Sequence, residues 1–499
     1  MTSIHEALGR LWNGADDARM LQQDGQWFTW RQVRDLAEDI DRQLTAAGGG
    51  AGTRVAVVLE NRMESVAAVI ALFRSDRTLV TLNPLQPADR VAADLAAVSA
   101  DYVIAPSQLL DNPAFFGAAA ATGAALFTAD GTYVTQRMTA SRAPVAGDPA
   151  VAIEMLTSGT TGPAKRIPLR RSQLESALSA ALEHNSRPEI RNKPPLTGAV
   201  GMVTLPIVHI GGLWSLLQAL VAARPIAMLK RFTLSGWHAA IAEHKPVLAG
   251  LPPPAIRSVL NSDIPREDLA SLRALIAGTA PVDAELVDAF LARYGIPILI
   301  TYGATEFAGA VAGWTLKDFR ASWVTKKGSV GRAFPGVRLQ VIDDDGTVLP
   351  PGLTGRLQVA SDQVGACAER WLTTTDLAHL DVDGYLYIDG RADDVIVRGG
   401  FKVAPQTVVR ALLTHDAVAD AAVAGLRDER LGEIPVAAVE LRANMNTSGE
   451  ALREHCRTTL TPYEVPTRVF VVDELPRSAA LKVDRRRLVA LLEELHQTN

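Results

Sequence analysis

Residues 54–82 read RVAVVLENRMESVAAVIALFRSDRTLVTL. A β-rich run at 54–59 is followed by a helical stretch at 63–74 and a second β-rich run at 78–82. Two short apolar strands joined through a helix cannot form a hairpin. They form the crossover unit of a parallel sheet covered by helices. The flanks repeat the rhythm: helical patterns at 30–47 and 88–98, and a strand at 102–105.

A second cycle occupies residues 200–301. Strands are expected at 200–205, 225–229, 247–250, 272–277 and 297–301, with helices at 213–222, 236–244 and 282–294. The two stretches read as two stacked α/β layers. From 328 to 360 the pattern turns to β with turns, and Asp345-Gly346 is a hairpin signal. Beyond Gly390 a hairpin at 395–403 precedes a helix, two strands, a helix, a strand and a last helix at 487–496. The expected fold class is α/β, with a boundary near 390 and a C-terminal domain of ordinary size.

Composition narrows the function. The 499 residues are 48% hydrophobic and 21% charged, as in a soluble enzyme. Fifty Lys and Arg stand against 55 Asp and Glu, a formal charge of −5, which argues against a nucleic-acid binder. Two cysteines, Cys367 and Cys456, exclude a disulfide framework and a cysteine metal cluster. No apolar run approaches 18 residues, so no membrane span is expected. The N-terminus lacks the pattern of a secretory signal, and a cytoplasmic location is expected.

Several clusters carry chemistry. Thr157-Ser158-Gly159-Thr160-Thr161-Gly162-Pro163-Ala164-Lys165 follows an apolar strand at 151–156 and leads into another at 166–169. Glycines let backbone N–H groups face an anion, hydroxyls add donors and the lysine adds charge. The loop is either a phosphate cradle or a flexible hairpin. Tyr302-Gly303-Ala304-Thr305-Glu306 lies just past the strand at 297–301, where α/β proteins bind ligands. Tyr302 can stack on a base, Thr305 can donate to phosphate, and Glu306 can hold a hard cation or simply face solvent. Thr374-Thr375-Asp376 and Gly390-Arg391 offer a carboxylate and a guanidinium for ribose hydroxyls, or a capped turn and an ion pair with Asp393 or Asp394. His209 is either a packed loop histidine or a pocket wall, beside Gly211-Gly212. Lys482 lies in the basic segment PRSAALKVDRRR at 476–487.

In this order the segments resemble the adenylate-forming, AMP-binding superfamily in its acyl-CoA synthetase branch. Gly278-Thr279-Ala280-Pro281 and the hairpin at 395–405 (VIVRGGFKVAP) add to the match. The resemblance implies a large N-terminal domain, 1–391, of stacked α/β layers with a β-rich subdomain. It also implies a small mobile α+β C-terminal domain, 392–499. It makes Thr157 to Lys165 the phosphate loop, and sets Gly278, Thr279, Ala280, Tyr302, Gly303 and Ala304 around the adenine. Thr305 would meet the α-phosphate, and Glu306 with Thr160 would serve Mg²⁺. Asp376 and Arg391 would hold the ribose, Asp393 would be the hinge and Lys482 the catalytic lysine. The implied activity is carboxylate activation by ATP, followed by transfer to a thiol. A different outcome is a nucleotide-binding protein that has lost catalysis. The chain departs from the pattern at Ala164, Arg166, Thr375, Thr407 and Leu481, the last in the place of a glycine.

Amino-acid-activating relatives place an aspartate near the helix after residues 206–212 to pair the substrate ammonium. Residues 205–217, LPIVHIGGLWSLL, contain no acidic side chain. A buried ammonium without a counter-charge is costly, so the acid is expected to lack an α-amine. Ile210, Leu213, Trp214 and Phe307 would make its pocket mainly apolar. No carrier domain follows 485–487 in this chain, so the expected thiol is external: coenzyme A first, a separate carrier protein second.

Overall fold

The computed structural model describes residues 3–145, 147–156, 165–184, 194–365, 370–478 and 481–498. The crossover unit at 54–82 forms as expected. Arg54–Val58 and Thr78–Leu82 pair in parallel, with the helix Met63–Arg74 between them in sequence. They lie in the middle of a seven-stranded sheet that also takes in Tyr102–Ala105, Ala125–Asp130 and Val151–Leu156 in parallel. Tyr133–Met138 and Arg166–Arg170 close its two edges in antiparallel pairing. The central strands are buried almost throughout, with runs such as VAVV and TLVTL, because helices cover both faces.

The second cycle is built differently from the expected single layer. Gly201–Val203 and Ile226–Met228 join a hairpin near the N-terminus, Arg19–Gln23 and Gln26–Thr29, in one four-stranded sheet. Leu248–Gly250, Ala274–Ala277 and Ile298–Ala304 run parallel in another, extended by the antiparallel strands Gly309–Gly313 and Arg332–Ala333. The N-terminal hairpin turns at Asp24 and Gly25, both at positive φ, the Asp-Gly signature of a tight primed turn. The helix after it starts at a capping box: Thr29 accepts from the Gln32 N–H while the Gln32 side chain accepts from the Thr29 N–H.

A four-stranded antiparallel sheet follows: Arg338–Ile342, Gly355–Ala360, Leu372–Leu380 and Leu386–Arg391. Gly346 takes φ 85° in the turn after the first of these. The last sheet begins at Ile396–Arg398 and holds Phe401–Val403, Gly432–Leu441, Val418–Asp428 and Arg468–Val472. Its helices are Pro405–Leu413, Gly449–Arg457 and Arg485–Thr498, in the expected order. The large N-terminal and small C-terminal parts meet where Arg410 donates to the Ile388 carbonyl, 2.9 Å. Cys456 is buried in the smaller core, which pushes its thiol up to about 11, and Cys367 lies outside the described residues. No helix among the described residues is long and apolar enough to cross a membrane.

Candidate active site

The strand Ala274–Ala277 runs parallel to Ile298–Ala304, so their carboxyl ends deliver Gly278-Thr279-Ala280 and Tyr302-Gly303-Ala304 side by side. Tyr302 is not in a loop. Its strand continues through Ala304 because Gly309–Gly313 folds back on it, pairing Tyr302 with Ala312 and Gly303 with Ala310. That return leaves no room for a side chain at 303, where a Cβ would lie 2.4 Å from the Gly309 carbonyl oxygen. Thr305 and Glu306 follow in a single helical turn. Glu306 is exposed, and none of the described residues pairs with it.

The Tyr302 hydroxyl donates to the Asp376 carboxylate. Burial first, then Asp376, raises the Tyr302 pKa; burial also raises that of Asp376, against the pull of the Tyr302 hydrogen bond and of Arg391. Asp376 faces Arg391 across the hairpin of Leu372–Leu380 and Leu386–Arg391. Arg391 binds Asp393 through Nε and Nη2, each at 2.8 Å, and donates from Nη2 to the Thr375 hydroxyl at 2.6 Å. The alternative ion pair read from the sequence therefore forms, and Thr375 completes it. Asp394 pairs with Arg485.

Lys482 stands at the mouth of this group. Its side chain keeps solvent exposure on the open side. The protein crowded around it, followed by the Arg391 charge, nevertheless lowers its pKa from the usual lysine value. His209 faces the same ammonium: burial and then Lys482 push the imidazole down to about 4, so it is neutral at physiological pH. His209 precedes the helix Ile210–Val221. Gly212 in the first turn admits no Cβ, which would lie 2.2 Å from the Pro206 carbonyl oxygen. Ile210 and Trp214 are half-buried, whereas Leu213 and Phe307 are fully buried in apolar clusters, so their part in the expected pocket is packing.

The structure thus brings Tyr302, Asp376, Arg391, Lys482 and His209 near one another from five separate stretches of chain, with Thr279 against Gly211 close by. Thr157, Ser158, Gly159, Thr160, Thr161 and Gly162 lie outside the described residues. Lys165 is described, exposed, at the entry to Arg166–Arg170. Arg166 is structural: it binds the Thr81 and Glu154 carbonyls and Asp94, at 2.7–3.2 Å.

Two supporting residues escaped the sequence reading. Asn61 is buried after the strand Arg54–Val58. Its amide donates to the Leu205 and Leu229 carbonyls and accepts from the Ile207 N–H, bracing the segment that carries His209. Gln363, equally buried, donates to the Phe307 and Ala310 carbonyls and supports the turn bearing Thr305 and Glu306. The available signal was a lone amide in apolar surroundings, which is too common to stand out.

The family model "AMP-binding enzyme" matches residues 10–367, and "AMP-binding enzyme C-terminal domain" matches 410–482. A 4-coumarate–CoA ligase-like protein of Oryza sativa is 30% identical, covering 94% of this chain and 83% of that one. A 2-succinylbenzoate–CoA ligase of Bacillus cereus is 26% identical over 96% of both chains. A sulfoacetate–CoA ligase of Cupriavidus necator is 32% identical over 70% of this chain and 69% of its own. Among solved structures, ATP-bound MatB from Rhodopseudomonas palustris superposes with a TM-score of 0.84 at 23% identity, covering 99% of this chain and 100% of its own. The o-succinylbenzoate CoA synthetase of Bacillus subtilis with its acyl-adenylate gives 0.77 at 24% identity, over 97% of both chains. With both family models matched in order, and the grouped residues drawn from both, the chain belongs to the AMP-binding enzyme family, in its acyl-CoA ligase branch.

Proposed function

We propose that this chain activates a carboxylic acid lacking an α-amine and transfers it to coenzyme A, with residues 1–391 and 392–499 as the two working domains. ATP, Mg²⁺ and coenzyme A are the partners of its branch. The observation that carries the residue assignment is the convergence of Lys482, Arg391 and Asp376 on the cleft opposite His209.

In the first half-reaction a carboxylate oxygen attacks the α-phosphorus of ATP, and the bond to the pyrophosphate oxygen breaks. Both reactants are anionic, so charge repulsion forms much of the barrier. The Lys482 ammonium offsets it where negative charge accumulates. Asp376 accepts from the ribose hydroxyls through the oxygen not engaged by Tyr302, and Arg391 adds its donors. Gly278, Ala280 and Tyr302 flank the base, and Thr305 donates to the α-phosphate. Mg²⁺ neutralises phosphate charge when bound. The exposed Glu306 carboxylate suits it, with Thr160 as the second residue, because Mg²⁺ typically takes one or two carboxylates together with substrate phosphates. In the second half-reaction a thiol sulfur attacks the acyl carbon, AMP leaves and the thiol proton passes to solvent. Neutral His209 walls the acid side without adding a competing cation.

The missing α-amine follows from the absence of an acidic side chain in 205–217. The acids in the names of the relatives, 4-coumarate, 2-succinylbenzoate and sulfoacetate, also lack one. The test is a panel of aryl, aliphatic and α-amino acids scored for pyrophosphate release with and without coenzyme A. We expect release with a subset of simple acids and none with free amino acids. Exchange driven by amino acids alone would overturn the reading. Thioester formation only on a purified carrier protein would replace the acceptor.

A further inference from the structure

Lys482 is carried by a tight turn. The Ser478 N–H donates to the Lys482 carbonyl at 2.7 Å, and the Leu481 N–H to the Ser478 carbonyl at 2.8 Å. Arg477 and Val483 face each other across the turn as an antiparallel bridge, and the Asp484 N–H closes onto Pro476 at 2.8 Å. This geometry places Leu481 at φ 60°, in the left-handed region. Any residue with a Cβ is disfavoured there because that atom crowds the carbonyl, whereas glycine adopts the region freely. Such a conformation persists only where the surroundings hold it.

The turn's own hydrogen bonds set this backbone, and the other domain covers the side chain. Leu481 is half-buried against an apolar cluster that includes Trp237, Leu275, Ile298, Trp314 and Tyr385. Every buried member of that cluster falls between residues 237 and 385. A side chain from the small C-terminal part therefore reaches across onto the core of the large one, one residue before the lysine that faces Arg391 and His209.

We propose that Leu481 is a positioning residue: an apolar peg that seats the Lys482 turn on the large domain and favours the adenylating arrangement over the thiol-transferring one. This rests on the assignment of Lys482 made above. Withdrawal of the turn for the second half-reaction exposes the leucine to water, so the peg also slows that departure.

The experiment measures the two half-reactions separately on folded variants: single-turnover pyrophosphate release, and thioester formation from supplied acyl-adenylate and coenzyme A. Leu481→Gly relieves the backbone strain and removes the peg, so folding is not put at risk. Adenylation should fall roughly 10–100-fold, the range a small misplacement of a reacting group produces. Thioester formation should stay at the parent rate or rise. Leu481→Met, which keeps volume and apolar character, should restore adenylation. Leu481→Ala, which keeps the strain but loses the peg, should fall at least as far as the glycine variant. Parent-like adenylation in Leu481→Gly, or equal losses in both half-reactions, would overturn the proposal. Lys482→Ala, run in parallel, separates the two claims. If it adenylates normally, the assignment of Lys482 fails, and the peg with it. If it loses adenylation while Leu481→Gly does not, only the peg fails.

Discussion

Three residues with side chains hold left-handed backbone around the cleft: Thr279 at φ 69°, Ala308 at 55° and Leu481 at 60°. Strain of this kind gathers at sites whose geometry must be fixed. At Leu481 the left-handed penalty is about 1–2 kcal/mol, and complete burial of a leucine side chain returns about 1.5–3 kcal/mol. The turn's own hydrogen bonds carry that strain whether or not the side chain is covered, so the half-burial of Leu481 is what the seated arrangement adds. The charge at Lys482 follows the same local logic. Crowding and Arg391 lower its pKa, so the ammonium loses its proton at a lower pH than an ordinary lysine. Adenylation needs the charged form. The alkaline limb of its kcat/KM profile should therefore lie below the usual lysine value of 10.5. His209→Arg puts a permanent cation beside Lys482 and should move that limb lower still. Thioester formation from supplied adenylate should not shift with it. A limb at or above the ordinary lysine value, or one indifferent to the charge at 209, would remove Lys482 from the adenylation step.

Among the elements, the turn between Leu386–Arg391 and Ile396–Arg398 is where one sheet ends and the next begins. Asp393 sits in it, gripped by Arg391. If the small domain rotates between half-reactions, the dihedrals of this turn must change. Proline fixes φ near −65° and removes an N–H. Asp393→Pro is expected to keep acid-dependent pyrophosphate release in the first turnover while thioester formation collapses. Losses of equal size in the two half-reactions would place the pivot elsewhere. Elements such as Met63–Arg74 and Thr78–Leu82 were legible in the sequence because each is a mostly apolar run bounded by polar residues. The hairpin Arg19–Thr29 was not picked out, although Asp24-Gly25 marks its turn, because its strands, RMLQQ and QWFT, are too polar to stand out as apolar runs. The strand through Tyr302 was read as ending at Thr301. What extends it is pairing with Gly309–Gly313, a tertiary contact that periodicity does not carry.

At the scale of the whole molecule, the alternation of strands and helices announced an α/β chain, and the run of β and turns after 328 announced the sheet that bears Asp376. Which strands share a sheet was beyond it: Ile226–Met228 pairs with Arg19–Gln23, some two hundred residues away, because the fold closes one layer over another. The candidate site was legible as a set of chemically apt residues in order. Its internal contacts were legible only in part: the sequence offered Asp393 or Asp394 as a partner of Arg391, and it did not offer Thr375. The bonds to Asp393 and Thr375 depend on the register of a hairpin and the course of the turn beyond it. That triangle also bears on how fast the enzyme can cycle. A nucleotide that recruits Arg391 competes with a carboxylate tethered two residues away, whose local concentration never falls. Departure of AMP would then be met by an internal replacement rather than by a bare guanidinium, which would shorten product dwell time at the expense of resting affinity. Asp393→Asn, which keeps the shape and weakens the replacement, should hold AMP more tightly and release it more slowly in stopped-flow displacement, and an unchanged off-rate would mean that Asp393 does not compete. A slower release would make Arg391 less a fixed anchor than a shared hand, passed from chain to nucleotide and back once per turnover.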